Sequence, residues 1–429
     1  MQKYSKYKDS GVKWLGEIPS HWEVKHLRNF LTLFSEKGFG DSPLLSVTRE
    51  KGVILRDRDN KEENHNFVPD DLSGYKHLNA GDFVINKMKS WQGSYGVSDY
   101  EGIVSPAYFT CKLHGINSKF FSRAIRSRAY IGFFMQFSKG IRVDQWDLDP
   151  NSMKEIPFVV PSNEEQIAIV NYLDSVTSKI DEAIAQQQKM IDLLNERKQI
   201  IINDAVTKGL DPKAKMKDSG IEGVGKIPKH WNTRRVASLG VFSKGGNISR
   251  DSLQDYGKSA ILYGDIYTKY NIIASDIKHF VSVSTAEKAV RIYDGDLLMT
   301  GSGETKEDIG KTIVYKGEEA YIGGDVILLR QFQNDSTFLS YCFNSQYAKN
   351  FRYKESKGEI VVHIYANAIK KMYVALPDID EQKQIVKYLN DTVARIDEQL
   401  SRVNKQISLL QERKQIIIND VVTGEVKVA

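Results

Sequence analysis

A thirteen-residue stretch occurs twice in this chain, and it constrains the fold more than any other feature. Residues 195–207 read NERKQIIINDAVT and residues 411–423 read QERKQIIINDVVT, identical at eleven of thirteen positions. Each copy closes a long amphipathic helical pattern. Written as heptads, the first pattern places Ile180, Ile184, Gln187, Ile191, Leu194, Lys198, Ile201 and Ala205 on one seam. The second places Ile396, Leu400, Val403, Ile407, Leu410, Lys414, Ile417 and Val421 there. Spacings alternate between four and three, the coiled-coil pattern. A seam sustained over four heptads needs a covering helix, and the simplest cover is the other copy. Lys198 and Lys414 interrupt the two seams at equivalent positions. A seam lysine can set register against a carboxylate. It can also lay its stem over apolar surface with the ammonium in water, and that second behaviour is the expectation here.

The duplication extends beyond the helices. DSGVKWLGEIPSHW (9–22) returns as DSGIEGVGKIPKHW (218–231), an offset of 209. Pro161, Glu165, Gln166, Tyr172 and Leu173 return as Pro377, Glu381, Gln382, Tyr388 and Leu389, an offset of 216. The order is short motif, variable block, helix, and then the same again. So long a period marks a domain duplication rather than a solenoid. A chain of 429 residues also exceeds one ordinary core. Two cysteines, Cys111 and Cys342, stand in different halves, which excludes a disulfide framework and fits a reducing cytoplasm. No apolar run has the length of a membrane span, and the first residues lack the pattern of a signal peptide. A net charge of +5 permits an anionic partner without requiring one.

In each IPxHW motif (Ile18, Pro19, His21, Trp22; Ile227, Pro228, His230, Trp231) the proline favours an extended approach, and the tryptophan should anchor the incoming strand on the core. Neither histidine has a second ligand at metal-binding spacing, so both read as packed or surface side chains. The variable blocks, roughly 28–155 and 235–370, share the strand-like GDFVIN (81–86) and GDLLMT (295–300). Their glycine-, tyrosine- and β-branched-rich composition suggests mixed α/β domains. Residues 118–137 and 338–353 read as helices in matching places. Ser162 with Glu165, and Asp378 with Glu381, form capping boxes that start the long helices. From Thr177 to Val206 an unbroken helix would be ~45 Å long, and the helices should stop at Gly209 and near Gly424. The expected fold is α+β: two mixed α/β domains in tandem pseudo-twofold repeat, joined by two long antiparallel coiled-coil helices. Paired in that way, they would form a dumbbell with a domain at each end.

Catalytic motifs are scarce. The chain has neither a GxxxxGK[ST] phosphate loop nor the glycine-rich cofactor loop and Asn/Asp-Pro-Pro-aromatic motif of an adenine methyltransferase. Glu355, Lys357 and upstream Asp335 could be arranged as a metal-dependent nuclease, but an E-x-K triplet arises easily in so charged a chain. Candidate DNA contacts lie in loops. In the first block these are Lys87, Lys89, Trp91 and Gln92 after a strand, and Arg142, Gln145 and Trp146 in a later turn. In the second they are Lys244, Asn247, Ser249 and Arg250, then Ser302, Glu304, Thr305 and Lys306, with His363 in a late turn. Arginine can grip guanine and glutamine adenine, while lysines meet phosphates. Taken singly, each is equally readable as a solvated loop residue or a packed aromatic, so the clusters carry the reading.

The paired IPxHW motifs, the P-x-x-x-EQ-x-x-I helix starts (Pro161 to Ile169; Pro377 to Ile385) and the paired ERKQIIIND helices resemble the specificity subunits of type I restriction–modification systems. The resemblance spans essentially the whole chain. It implies target recognition domains at 1–160 and 209–376, with scaffold helix regions at 161–208 and 377–429. It implies a non-catalytic subunit that reads a bipartite, asymmetric target in double-stranded DNA, its helices acting as a ruler between half-sites. The implied partners are two modification subunits, using S-adenosylmethionine, and two restriction subunits, using ATP and Mg. No cofactor or metal is implied in this chain, and a cytoplasmic location is. Half-sites one helical turn apart would lie roughly 34–36 Å from each other. The rival expectations are a DNA-independent scaffold, which would show no salt-sensitive duplex binding, and a stand-alone nuclease, which would cut DNA without partners.

Overall fold

The strand that leads into each variable block pairs with the strand that leaves it. Glu23–His26 runs antiparallel to Pro157–Val160, and Asn232–Arg235 runs antiparallel to Tyr373–Leu376. Each block is thereby closed on itself just before its long helix begins. The structure, a computed structural model, describes residues 2–57, 68–140, 146–303, 309–358 and 361–428.

Between those paired strands, both blocks use the same antiparallel order. In the first, the sheet runs Leu31–Phe34, Phe109–Leu113, Phe83–Ile85, Tyr95–Val97. In the second it runs Val241–Lys244, Val326–Arg330, Leu297–Thr300, Thr312–Tyr315, with Ile273–Ala274 added in parallel at the edge. GDFVIN and GDLLMT therefore supply the same strand of equivalent sheets. Their glycines, Gly81 (φ 93°) and Gly295 (φ 86°), make the preceding turn. Their aspartates are buried but paired across the sheet, Asp82 with Lys112 at 2.9 Å and Asp296 with Arg330 at 2.6 Å. The second block carries a further five-stranded sheet, 253–254, 279–281, 258–261, 320–322 and 290–292.

The segments 118–137 and 338–353, read from sequence as single helices, are each a pair. Ser118–Ile125 is followed by Arg128–Phe137, and Ser336–Phe343 by Gln346–Glu355. The breaks fall at Ser127 (φ −70°, ψ 162°) and Ser345 (φ −69°, ψ 163°), whose extended backbones restart the helix. Ser345 Oγ donates to the Cys342 carbonyl at 2.6 Å, whereas Ser127 makes no side-chain cap, so serine chemistry alone does not explain both breaks.

The long helices are longer than the seam alone suggests. Asn163–Lys208 has 46 residues and Ile379–Val422 has 44, or ~69 and ~66 Å. No glycine or proline interrupts either one, so the helix runs unbroken from capping box to C-terminal glycine. Seam residues Ile180, Leu194, Ile396 and Ile417 are buried, while Ile184, Ile191, Ile201, Leu400, Val403, Ile407 and Leu410 are half-buried.

By its internal contacts the chain divides into two units, Met1–Gln188 with Asn404–Ala429, and Lys189–Val403. Each unit thus holds one variable block, the start of one long helix and the end of the other. In the first unit Ile169, Val170, Leu173 and Ile180 share a core with Ile417, Ile418, Val421 and Val422. In the second, Ile385 and Leu389 share one with Ile202, Ala205 and Val206.

Three repeated motifs meet at one joint in each unit. Glu165 closes the capping box with Ser162 and also accepts from His21 Nε2 at 3.0 Å and Trp22 Nε1 at 3.3 Å. Glu381 accepts from His230 Nε2 at 2.8 Å. Trp22 and Trp231 are fully buried, and truncating such a side chain typically costs about 3–5 kcal/mol. Against them lie the helix-ending glycines, Gly424 on Pro19 and Trp22, and Gly209 on Pro228 and Trp231. The neighbouring glutamines tie the joint to the variable block. Gln166 accepts from the Asn117 amide at 3.0 Å, and Gln382 accepts from the Asp335 amide at 2.9 Å. Asn117 and Asp335 are the N-caps of Ser118–Ile125 and Ser336–Phe343.

The seam lysines do not simply extend into water. Lys198 Nζ lies 2.6 Å from Asp397 in the second unit, and Lys414 Nζ lies 2.6 Å from Asp181 in the first. Both lysine side chains are largely covered while their aspartates stay open to solvent, and the aspartate beside each seam isoleucine (Ile180, Ile396) supplies a counter-charge in reach. Satisfying a half-buried cation outweighs the freedom it would keep in water.

Candidate nucleic-acid interface

In both units the loop after the GD strand folds against the late turn of the block, so segments far apart in sequence form one surface. In the first unit Lys87 Nζ meets Asp147 at 3.0 Å, and the Leu148 amide donates to the Lys87 carbonyl at 3.1 Å. Trp91 and Trp146 pack ring against ring, centroids 5.3 Å apart at 56°. The Trp91 indole donates to the Met88 carbonyl at 3.2 Å. Beneath them Ser90 and Ser138 hydroxyls are 3.2 Å apart. Lys89 is exposed and Gln92 half-buried. Arg142 and Gln145 lie outside the described residues.

One residue not anticipated from sequence supports this region. Arg126, at the break between the paired helices, donates to the carbonyls of Tyr95 (2.6 Å), Arg49 (2.9 Å) and Glu50 (2.8 Å). Burial pushes its guanidinium below its usual pKa. Nothing in the local sequence separates this arginine from a solvated helix residue.

The second unit brings three of its predicted segments together. Ser302–Gly303 pairs antiparallel with Val362–His363, and Ser302 Oγ lies 2.8 Å from His363 Nδ1. Ser302 is only 3% exposed, so it is not the surface donor expected of a loop serine. The strand pairing turns it inward. Lys244 Nζ lies 2.9 Å from Asp325 Oδ1. The loop 245–248 crosses close to Gly323 and Gly324, where the Gly245 amide donates to the Val326 carbonyl at 2.8 Å. A Cβ at Gly245 would meet the Gly323 carbonyl oxygen at 2.0 Å, so this crossing requires glycine.

Asn247 (φ 61°) and Asp325 (φ 60°) are the non-glycine residues with positive φ among the described residues, and both belong to this crossing. Strain of this kind persists only where the surroundings over-determine it. The Asn247 amide is engaged with the Lys288 carbonyl, and Ser249 pairs with Ser252 at 3.3 Å across a short turn. Arg250 is exposed. Glu304, Thr305 and Lys306 lie outside the described residues. Asp325 was missed from sequence, because an aspartate without a motif gives no sign of a left-handed turn. Burial raises its carboxyl pKa, but hydrogen bonds from Lys244 and Ser302, with the charges of Lys244 and His363, outweigh it and hold the carboxyl below the usual range.

The residues of the nuclease alternative are engaged in structural roles. Asp335 caps Ser336–Phe343 by accepting from Thr337 and Phe338 amides. Glu355 pairs with Lys371 at 3.2 Å, and Lys357 pairs through its backbone with His363. Among the described residues, no helix is long and apolar enough to cross a membrane.

Known proteins match this chain along its length. Residues 228–408 match the family of type I restriction modification DNA specificity domains. A putative type I restriction enzyme MjaX specificity subunit of Methanocaldococcus jannaschii is 21% identical over 98% of both chains. The type I restriction enzyme EcoKI specificity subunit of Escherichia coli K12 is 22% identical over 96% of this chain and 90% of its own. A solved chain, described under "Structural basis underlying complex assembly and conformational transition of the type I R-M system", matches with TM-score 0.68 at 14% identity. It covers 95% of this chain and 99% of that one, and at this identity it speaks to fold alone.

Proposed function

We infer that this chain belongs to the type I restriction–modification specificity subunits and selects the DNA sequence on which such a complex acts. The observation that carries this reading is the doubled plan itself. Each unit joins a variable block to a repeated joint of IPxHW motif, capping box and helix-ending glycine. A frame built twice with divergent inserts suits a protein that reads two different half-sites.

In this reading residues 1–160 and 209–376 are the target recognition domains, and residues 161–208 and 377–429 are the scaffold helix regions. The long helices set the gap between half-sites. The duplex contacts of this reading are drawn from Lys87, Lys89, Trp91, Gln92, Arg142, Gln145 and Trp146 in the first unit, and from Lys244, Asn247, Ser249, Arg250, Glu304, Thr305, Lys306 and His363 in the second, with Ser302 itself buried. Two modification subunits, using S-adenosylmethionine, dock on the scaffold and methylate the chosen site. Two restriction subunits, using ATP and Mg, join them. This chain performs no bond-making step, and the complex works in the cytoplasm.

The test is modified-base sequencing of a host expressing this chain with its cognate modification subunit, compared with the same host lacking this chain. Methyladenine at one split motif with a fixed gap is the expected outcome. Exchanging residues 28–155 for another recognition block should then change one half of the motif only. Co-purification of the two proteins with no chain-dependent motif would favour the DNA-independent scaffold.

A further inference from the structure

In each unit the variable block meets the start of its long helix at two polar contacts, eight residues apart on that helix (166 and 174; 382 and 390). The first uses the glutamine that follows the capping box. Gln166 accepts from the Asn117 amide at 3.0 Å, and Gln382 from the Asp335 amide at 2.9 Å. Both glutamines are buried. The second contact lies ~12 Å further along the helix. Arg123 Nη2 donates to Asp174 Oδ1 at 2.8 Å, and the Tyr341 hydroxyl donates to Asn390 Oδ1 at 2.8 Å. Both contacts of a unit engage one short helix, Ser118–Ile125 or Ser336–Phe343, at its N-cap and at its sixth residue.

The buried residues between the two contacts are apolar. Ile169 and Leu173 share a core with Phe120, Phe121 and Ala124, and Ile385 and Leu389 share one with Phe338, Leu339 and Cys342. Positions i, i+3, i+7 and i+8 lie on one helical face. Apolar burial is non-directional, so it holds the block on the helix without fixing its angle. Hydrogen bonds are directional, and two of them at opposite ends of the patch resist rotation about either one. The second contact also shows a matched change within the chain. An Arg–Asp pair in the first unit is a Tyr–Asn pair in the second, at corresponding positions of both helices. Both partners differ and the bond persists, although the blocks around it share little sequence. A contact that only covered surface would not require its two halves to change together.

We propose that Gln166 with Asp174, and Gln382 with Asn390, are positioning residues that set the angle of each recognition block on its helix and so restrict the complex to one gap between half-sites. The proposal rests on the reading of this chain as a specificity subunit whose helices set that gap. A ruler is only as exact as the attachment of what it spaces. Changing the gap by one base pair moves a half-site about 3.4 Å along the duplex and about 35° around it. A block pinned at two points must break a pin to follow. These residues act on the DNA only through the block they hold.

The experiment uses the assembled complex of this chain with its modification subunit, and duplexes carrying the split motif with its native gap or a gap one base pair shorter or longer. Binding to each is measured for the native complex and for two variants at the partly exposed contact. Arg123→Glu sets two carboxylates against each other, and Arg123→Glu with Asp174→Arg restores the pair in reverse. The readout is the ratio of affinities between the native and the altered gaps. It should fall about fourfold in Arg123→Glu, an exposed ion pair lost and a repulsion of similar size gained. It should return to within about 1.5-fold of native in the double variant. Asn390→Ala should lower it about threefold from the second unit. Discrimination between bases within each half-site should not change. Poorer folding or weaker general affinity reduces binding at every gap alike and leaves the ratio intact. A ratio unmoved by Arg123→Glu, or not recovered by the reversal, overturns the proposal. If the native complex recognises no split motif, or binds every gap equally, the reading of the chain fails and takes the proposal with it.

Discussion

Replacing Gly424 with alanine tests the joint where three repeated motifs meet. Gly424 has φ 83°, and an L-residue forced into the left-handed region costs about 1–2 kcal/mol. Its new Cβ would also lie 2.4 Å from Pro19 Cδ, 2.7 Å from Pro19 Cγ and 3.0 Å from Trp22 Cζ3. Proline and a fully buried tryptophan cannot swing aside, so overpacking adds about 1–3 kcal/mol. The expected total is about 2–5 kcal/mol, confined to the first unit, which holds all these residues. Gly209→Ala is the internal control. Its φ is 74°, but its Cβ would meet Glu381 Oε1 at 3.2 Å and Trp231 Cζ2 at 3.3 Å, so it bears the backbone term with little clash. The two variants should therefore differ by roughly the overpacking term, about 1–3 kcal/mol. Urea unfolding by tryptophan fluorescence gives the overall loss. Hydrogen exchange of peptides covering 17–26 and 419–428, against 226–235 and 203–212, assigns it to a unit. A Gly209→Ala loss equal to or larger than that of Gly424→Ala would refute the reasoning, as would loss of protection in the wrong unit.

Two further outcomes follow from the scaffold. The Lys198–Asp397 and Lys414–Asp181 pairs are partly exposed, so double-mutant cycles to alanine should give coupling energies of about 0.2–1 kcal/mol, diminished in 1 M salt; coupling that is absent or indifferent to salt would show that these contacts do not act as ion pairs. The Glu165 carboxyl is raised by burial but lowered further by its bonds to His21 and Trp22, by the charge of His21 and by the Ser162 amide, for a net depression. A depressed carboxyl contributes stability that is present above its ordinary pKa and lost as pH falls through the lowered value. The native chain should thus lose more stability than Glu165→Gln across that acidic window, and identical acid profiles would count against this role.

How much was legible in the sequence follows from range. The long helices, their seams and their ends were, because heptad spacing, capping boxes and terminal glycines act within a few residues of one another. So was the duplication, and with it the membership of GDFVIN and GDLLMT in matching strands. The candidate loops could be chosen by residue type, but their mutual placement could not be. Trp91 meets Trp146, and Ser302 meets His363, only because strand pairing closes each block.

Other features required the tertiary structure outright. The capping glutamates read as local helix starts, and only the packed joint gives Glu165 and Glu381 a histidine each to hold. The seam lysines read as solvent-seeking, and only the helix register set an aspartate beside each. The single helices broke at Ser127 and Ser345 because the second helix of each pair must turn to pack on its core. Asp325 carries no motif, and its role comes from a left-handed turn that sets its carboxylate beside Lys244 and its carbonyl on the Gly301 amide. Local periodicity is fixed by neighbours along the chain and therefore written in it. Which distant charges and hydroxyls share a hydrogen bond depends on the closure of the whole block, and the chain spells that out only once it is folded.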